Sequence, residues 1–237
     1  CIITGLTLWE FGGLVKHYEN ANLQRTVNVL GGVYLFIATF VYANGLTDGK
    51  IFLPYLLFIM LTMIAELYYN WAFTLFAQVY CAGSFSILNF IGAEPGTPGV
   101  MSYTPIFIMA IFIFVWLDDT GAYLVGSLIG KHKLFERISP KKSWEGFFGG
   151  LILSLASSQA FAWFAPEINR MNWLGLAATV VLFGTWGDLI ESLLKRTLGV
   201  KDSGNVLPGH GGMLDRFDSV MLAVPASYIY IELFIRN

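Results

Sequence analysis

Apolar stretches of about 20 residues recur along this sequence, and they constrain its fold more than any other feature. A helix of about that length crosses the apolar core of a bilayer, and it satisfies its own backbone hydrogen bonds there. Windows of this kind cover 28–43, 51–69, 71–92, 104–125, 146–165, 173–187 and 219–235. The sequence therefore predicts an all-α, polytopic transmembrane protein with about seven complete spans.

Composition supports a membrane protein and excludes nucleic acid as a partner. Hydrophobic residues make up 56% of the chain and charged residues 13%, about half the roughly 25% usual for soluble domains. The net charge of −2 leaves no broad cationic field for a nucleic-acid backbone.

The first apolar stretch, 1–15, is too short to cross a bilayer alone and is interrupted by Glu10. We therefore expect a partial N-terminal span with further spans upstream of it. The economical domain organisation is a single integral membrane domain over 1–237. Within it, 1–103 holds the N-terminal spans, and 104–237 holds the catalytic spans and two long polar loops, 126–145 and 188–218.

The distribution of basic residues predicts sidedness, because cytoplasmic loops carry the excess of Lys and Arg. Alternating through the spans places eleven of the 14 Lys and Arg residues on the side of loops 126–145 and 188–218. Loop 93–103 then lies on the opposite side. These observations predict an integral protein of a bacterial inner (plasma) membrane whose polar loops face the cytoplasm.

Loop 188–218 holds the densest polar chemistry. If the preceding helix continues to about residue 198, then Asp188, Glu191 or Ser192, and Lys195 lie on one helix face. A solvated lattice of i,i+4 ion pairs explains these residues equally well. The following stretch, 208–212, reads Pro-Gly-His-Gly-Gly, and its glycines allow backbone N–H groups to approach an anion. It predicts a phosphate-binding cradle.

Asp215 and Asp218 stand at the start of the last span. An uncompensated carboxylate at bilayer depth costs about 2.5–3.5 kcal/mol, so each needs a partner. A divalent cation that bridges to phosphate oxygens is one such partner; ion pairing with Arg216 and Lys195 alone is the alternative. Because Asp188 ends one span and Asp215 begins the next, we predict that Asp188, Asp215 and Asp218 bind Mg²⁺, with Lys195 beside Asp188.

A second polar cluster begins with Asp118 and Asp119 at the end of a span. It continues with Ser139, Lys141, Lys142 and Ser143, which precede the next span and predict an anion site. Lys131, Lys133 and Arg137 are better explained as membrane-surface anchors. We interpret His132 as a surface histidine, since no carboxylate stands at a recognisable spacing from it.

These motifs together resemble a known family. The segment 192–218 is similar to the signature of phosphatidate cytidylyltransferase, also called CDP-diacylglycerol synthase, at all of its 27 positions. The matching residues include Ser192, Lys195, Arg196, Lys201, Asp202, Gly204, Pro208, His210, Gly211, Gly212, Asp215, Arg216 and Asp218. Segments 119–123 and 139–146 are similar to other segments common in that family. The resemblance covers the chain from about residue 115 to its end.

The resemblance implies a Mg²⁺-dependent reaction of CTP with phosphatidic acid that yields CDP-diacylglycerol and pyrophosphate. It also implies a homodimer in a lipid bilayer. The implied catalytic residues are Asp188, Asp215, Lys195, Arg216 and His210. The implied substrate-binding residues are Asp119, Ser139, Lys141, Lys142, Ser143, Ser192, Arg196, Lys201, Asp202, Gly209, Gly211 and Gly212.

Two alternatives remain open from the sequence. A related CTP-dependent enzyme acting on another lipid phosphate, such as an ether lipid, would carry the same polar motif, because the chains differ away from the reacting phosphate. A transporter would place its polar residues toward mid-span, whereas these residues cluster at span ends.

Overall fold

The computed structural model describes residues 1–17, 24–65, 71–93, 103–204, 206 and 211–236. Within this part of the chain, six helices are long and apolar enough to cross a membrane: Arg25–Ala43, Trp71–Gly92, Ile106–Ile129, Trp144–Phe164, Arg170–Thr197 and Leu214–Phe234. The all-α, polytopic membrane fold predicted from the sequence is confirmed.

Six of the predicted windows coincide with these helices. The remaining window, 51–69, begins as a 3₁₀ turn over Gly49–Phe52 and continues as α3, Leu53–Ala65. Residues 66–70 lie outside the described chain. The first stretch forms a short helix, α1, over Ile2–Val15. Its 14 residues are fewer than a bilayer crossing needs, as the sequence predicted.

The chain divides into two compact units. The first unit comprises Cys1–Thr104 and Leu194–Phe217, and the second comprises Pro105–Leu193 and Asp218–Asn237. The boundary after residue 104 is close to the one that separated the N-terminal spans in the sequence. The segment Leu194–Phe217, which holds most of the signature, belongs with the N-terminal spans.

In the first unit, α1 packs on α2 (Arg25–Ala43), and α2 packs on a span built from α4 (Trp71–Ala77), a π-helical turn (Gln78–Gly83) and α5 (Ser84–Gly92). Gly32 of α2 permits this approach, since a Cβ there would overlap Leu8 and lie 3.0 Å from the Cβ of Ala82. The core side chains Leu8 and Phe11 are fully buried.

A buried polar network joins three elements of the first unit. Gln78, at the start of the π turn, donates through Nε2 to the backbone oxygen of Asn28 (2.8 Å) and to its Oδ1 (3.1 Å). Its Oε1 accepts from the Tyr55 hydroxyl at 3.2 Å. Because each group has a partner, the network places polar atoms in an apolar interior at little cost.

In the second unit, α6 (Ile106–Ile129) and α7 (Trp144–Phe164) pack backbone to backbone. A Cβ on Gly121 would lie 2.7 Å from the backbone oxygen of Gly149. The Ser154 hydroxyl donates across the same interface to the backbone oxygen of Phe114 at 3.0 Å. Small residues and interhelical hydrogen bonds are the usual means by which membrane helices associate.

A β-hairpin lies between these helices, formed by β1 (Lys133–Phe135) and β2 (Ser139–Ser143). The sequence predicted a loop over 126–145, but α6 continues to Ile129 and the hairpin occupies most of the remainder. Asp118 therefore stands near the middle of α6 instead of at its end. The segment is mostly polar and has too few apolar residues to form a helix that packs on the core. It forms a short two-stranded ladder.

The last two helices are α8 (Arg170–Thr197) and α9 (Leu214–Phe234). Helix α8 ends within one residue of the predicted limit. Within the second unit the two helices approach closely, because a Cβ on Gly187 would lie 2.6 Å from the backbone oxygen of Asp218. A Cβ on Gly184 would make an ordinary contact with Ser219, at 3.6 Å from its Cβ.

Candidate active site

A polar cavity of about 200 Å³ lies in the second unit beside β2, α6 and α8. Its lining combines carboxylates, ammonium groups and hydroxyls with apolar residues: Asp118, Asp119, Ala122, Tyr123, Leu134, Lys141, Lys142, Ser143, Gly146, Phe147 and Thr185. Four predicted substrate-binding residues, Asp119, Lys141, Lys142 and Ser143, thus share one cavity. Its size and its lysines suit an anionic group such as a phosphate.

The N-terminus of α7 holds Ser143 in place. Its Oγ accepts the Gly146 N–H at 3.1 Å, which makes Ser143 the N-cap of the helix. A Cβ on Gly126 would lie 3.3 Å from that Oγ, and one on Gly130 would lie 2.7 Å from it. Gly126 of α6 and Gly130, directly after that helix, therefore make room for the cap.

Asp188 forms an ion pair with Lys142 of the hairpin. Its Oδ2 lies 2.5 Å from Lys142 Nζ, and its Oδ1 accepts from the Ser192 hydroxyl at 3.1 Å. The predicted helix-face contact between Asp188 and Ser192 is present. The sequence placed Lys195 two helical turns from Asp188 on the same helix; the described ion-pair partner of Lys195 is Asp215, and that of Asp188 is Lys142.

Asp118 is a buried carboxylate within α6. The residue is 8% exposed, and its Oδ1 has no hydrogen-bond partner among the described residues. The same oxygen lies against Gly150 of α7, where a Cβ would overlap it. Asp119, Lys142 and Asp188 are the charged groups that act on this carboxyl. An acidic group at this depth is costly and marks a functional position.

Asp218 belongs to the same acidic region of the second unit. Asp188, Glu191 and Asp119 are the charged groups that act on its carboxyl, and its Oδ1 accepts the Ser219 N–H at 2.6 Å. The close approach of α8 and α9 at Gly187 brings Asp188 and Asp218 into one region. Mutually repelling carboxylates in an apolar setting favour a bound cation.

The carboxylates of the second unit suit a hard divalent cation. Within the described ranges, no three His, Cys, Asp or Glu side chains are arranged to hold a metal ion. Mg²⁺ is commonly bound through one or two carboxylates, with water and substrate phosphates completing its octahedron. The two carboxylates Asp188 and Asp218 are therefore enough to contribute protein ligands to a divalent cation whose other ligands are water and phosphate oxygens.

The signature segment in the first unit forms a separate cluster around Asp215. Lys195 Nζ lies 2.6 Å from Asp215 Oδ1. The Ser203 N–H donates to both carboxylate oxygens (3.1 and 2.9 Å), and the Gly212 N–H donates to Oδ2 at 2.8 Å. The sequence left ion pairing with Arg216 and Lys195 as the alternative to a metal ion, and Lys195 is an observed partner of Asp215. The metal role of Asp215 stays a prediction.

Sequence reasoning missed one residue of this cluster, Glu10 of α1. Its Oε2 accepts the Leu214 N–H at 2.8 Å and lies 3.4 Å from the Ser203 hydroxyl. We interpreted Glu10 as an interruption of an apolar stretch. A lone charge in such a stretch is itself a signal of function, although its partner 204 positions away cannot be identified locally.

Several predicted residues lie at the edges of these clusters. Arg196, Lys201, Asp202 and Arg216 are exposed, and Ser139 begins β2 with a half-buried side chain. Gly211 has a φ of +81°, as a glycine-specific turn requires. Gly209 and His210 lie outside the described residues. The Gly212 N–H, predicted to face a phosphate, bonds Asp215 instead.

His132 has a carboxylate partner that sequence reasoning did not identify. Its Nδ1 lies 2.6 Å from Glu145 Oε1, and its backbone N–H lies 3.2 Å from both Glu145 oxygens. The His132 side chain is 79% exposed, as expected of a surface histidine. The sequence did not reveal its carboxylate partner, because the hairpin brings together residues 13 positions apart.

The chain is similar in sequence to known proteins of one family. The model of the cytidylyltransferase family matches residues 1–234. The chain is 54% identical over 121 residues to the phosphatidate cytidylyltransferases of Staphylococcus aureus (strain COL) and Staphylococcus haemolyticus (strain JCSC1435). It is 53% identical over 121 residues to that of Staphylococcus epidermidis (strain ATCC 12228 / FDA PCI 1200).

Each match covers 50% of this chain and 46% of the relative. The chain thus spans about half the length of the curated relatives it matches. The family model, in contrast, extends over nearly all of its residues and includes both polar clusters. This chain belongs to the cytidylyltransferase family.

Proposed function

We propose that this integral membrane protein transfers CMP from CTP to phosphatidic acid, yielding CDP-diacylglycerol and pyrophosphate. The observation that carries the proposal is the cavity lined by Asp119, Lys141 and Lys142. Lys142 also forms an ion pair with Asp188. The matched relatives bear the name phosphatidate cytidylyltransferase. We further propose that the site faces the cytoplasm of a bacterial inner membrane. We also propose that the protein is a homodimer.

The reaction needs no nucleophile from the protein. A phosphate oxygen of the lipid attacks the α-phosphorus of CTP, the bond from that phosphorus to the bridging oxygen breaks, and pyrophosphate leaves with the electron pair. Since the lipid phosphate is already an anion, catalysis rests on positioning and on neutralising phosphate charge. We therefore expect direct displacement without a covalent enzyme intermediate.

The lysines of the hairpin cavity are suited to hold phosphate oxygens. Lys142 is held by Asp188 at 2.5 Å, so its ammonium group is oriented before a substrate binds. Lys141 and Ser143 flank it on β2 and line the same cavity. Oriented donors lose little entropy when they bind a phosphate, which lowers the barrier to transfer.

Members of this family generally use a divalent metal, and we propose that it is Mg²⁺. Asp188 and Asp218 would hold it; a metal role for Asp215 stays a prediction from the sequence. When bound, the ion supplies positive charge to the phosphate oxygens. Lys195 and the Ser203 and Gly212 N–H groups orient the Asp215 carboxylate.

Purified protein in mixed micelles, incubated with labelled CTP and phosphatidic acid, tests the proposal. Thin-layer chromatography should show labelled CDP-diacylglycerol that depends on Mg²⁺. Preference for an ether analogue would assign the protein to another lipid phosphate, and absence of any liponucleotide would overturn the proposal.

A matched pair of variants tests the cavity. Lys142→Gln removes the ammonium group that faces Asp188, whereas Lys133→Gln removes an exposed lysine from β1. We expect a fall in kcat/KM of about 10²-fold for Lys142→Gln and little change for Lys133→Gln. Equal effects would refute a specific role for the cavity.

A further inference from the structure

Glu10 is a buried carboxylate on an otherwise uncharged helix. The residue is 4% exposed, and it is the only charged residue in the 14 residues of α1. A carboxylate is kept in such surroundings when it has specific donors. The contacts of Glu10 therefore indicate what it does.

Those donors belong to the segment that carries Asp215. Glu10 Oε2 accepts the N–H of Leu214, the first residue of α9, at 2.8 Å. The hydroxyl of Ser203 lies 3.4 Å from the same oxygen. One carboxylate oxygen thus contacts both ends of the stretch between Ser203 and Leu214.

Two glycines at the described ends of this stretch make room for the Glu10 carboxylate. A Cβ on Gly204 would lie 2.8 Å from Glu10 Oε1, and a Cβ on Gly212 would lie 2.6 Å from Oε2. Any other residue at these positions would displace either the carboxylate or the backbone. The side chain of Glu10 consequently occupies the space between the two ends of the segment.

The same two ends hold Asp215. The Ser203 and Gly212 N–H groups both donate to its carboxylate, and Lys195 Nζ completes the set at 2.6 Å. Glu10 contacts none of the oxygens of Asp215 through a described hydrogen bond. Its influence on Asp215 passes through the backbone that it holds.

We infer that Glu10 is a positioning residue, which anchors the backbone around Asp215 and thereby sets the orientation of the Asp215–Lys195 pair. This inference rests on the proposed function, in which that pair takes part in CMP transfer. A displacement of about 1 Å at a reacting group is enough to cost about 10²-fold in rate. An anchor remote from the substrate is therefore able to govern turnover.

Comparing Glu10→Met with Glu10→Gln separates the loss of the hydrogen-bond acceptor from a change in side-chain size. Methionine is apolar and of similar length, so it removes the acceptor without placing a new polar group in the apolar interior. Glutamine retains a carbonyl oxygen that accepts the Leu214 N–H. Thr7→Val is the matched control, since Thr7 is fully buried on the same helix and its described hydrogen bonds stay within α1.

Amide hydrogen exchange of the peptide 203–214 provides a readout that does not depend on activity. We expect exchange about 10-fold faster in Glu10→Met than in wild type, with Glu10→Gln and Thr7→Val close to wild type. In the CDP-diacylglycerol assay, kcat of Glu10→Met should fall by about 10- to 100-fold, with the KM for CTP within about threefold.

The outcomes distinguish the two proposals. Unchanged exchange in folded Glu10→Met, or Glu10→Gln as impaired as Glu10→Met, would overturn the anchoring role. Faster exchange with unchanged kcat would overturn the link from the anchor to turnover. Wild-type protein that forms no liponucleotide contradicts the proposed function, while the exchange measurement still decides whether Glu10 anchors the segment.

Discussion

Replacing Asp188 with Asn removes one charge from the cavity and keeps the size of the side chain. Asn also keeps an oxygen that accepts the Ser192 hydroxyl, which lies 3.1 Å from Asp188 Oδ1. The change therefore isolates the charge that faces Lys142 Nζ at 2.5 Å. A structural role and a role in the reaction then predict different losses.

The structural loss follows from exposure. The side chains of Lys142 and Asp188 are 28% and 22% exposed. Breaking a fully buried pair costs about 3–5 kcal/mol, and an exposed pair contributes about 0–1 kcal/mol. We therefore expect Asp188→Asn to lower the free energy of unfolding by about 1–3 kcal/mol.

The catalytic loss is measured on the folded fraction. If Asp188 binds the metal or orients Lys142 for phosphate, kcat/KM should fall at least about 10²-fold, which is about 2.7 kcal/mol of transition-state stabilisation. The double variant Asp188→Asn/Lys142→Met should recover stability, because it leaves no unpaired charge, but should not recover activity.

Glu232→Gln is the control for this experiment. It breaks the Glu232–Arg236 pair, whose Oε1–Nη1 distance is 2.8 Å and whose side chains are 40% and 16% exposed, and which takes no part in the cavity. Turnover should be unchanged. If folded Asp188→Asn retains near-normal Mg²⁺-dependent turnover, the catalytic assignment of Asp188 is wrong.

Three further predictions concern packing, topology and mechanism. Gly150→Ala should lower the free energy of unfolding by about 1–3 kcal/mol, because its Cβ would overlap Asp118 Oδ1; Gly49→Ala, where a Cβ meets nothing within 4 Å, is the control, and equal thermal denaturation midpoints would contradict this packing. Single cysteines at positions 98 and 205 should label from opposite sides of the membrane in intact cells, and labelling from the same side would refute the topology. Labelled pyrophosphate should not exchange into CTP without lipid, because direct displacement forms no cytidylyl-enzyme; such exchange would indicate a covalent intermediate.

The spans were accessible to sequence reasoning because a bilayer acts on each segment separately. Every backbone polar group inside it must be bonded within the segment, so an apolar window of about 20 residues has one available structure, the helix. The windows at 71–92 and 146–165 match the observed helices closely for this reason. The local helix-face contact between Asp188 and Ser192 was predictable on the same basis, since four residues make about one helical turn.

The composition of the cavity was partly accessible as well. Asp119, Lys141, Lys142 and Ser143 were grouped by their residue types and by their position beside spans, and they line one cavity. The hairpin that presents the last three was not predicted. A short polar ladder has little hydrophobic periodicity, and its register depends on α6 and α7, which it joins.

Only the tertiary structure decided which charge meets which. Lys195 and Asp188 share a helix, yet the described partners are Lys142 for Asp188 and Asp215 for Lys195. Glu10 meets Leu214 across 204 positions of sequence. A charge in a bilayer-spanning segment needs a partner. Which partner it meets depends on tertiary contacts at glycines, such as the helix contact at Gly187 and the loop contact at Gly212, where the absence of a Cβ permits close approach. The need for a partner is therefore a property of the segment, whereas the identity of the partner is a property of the packed helices.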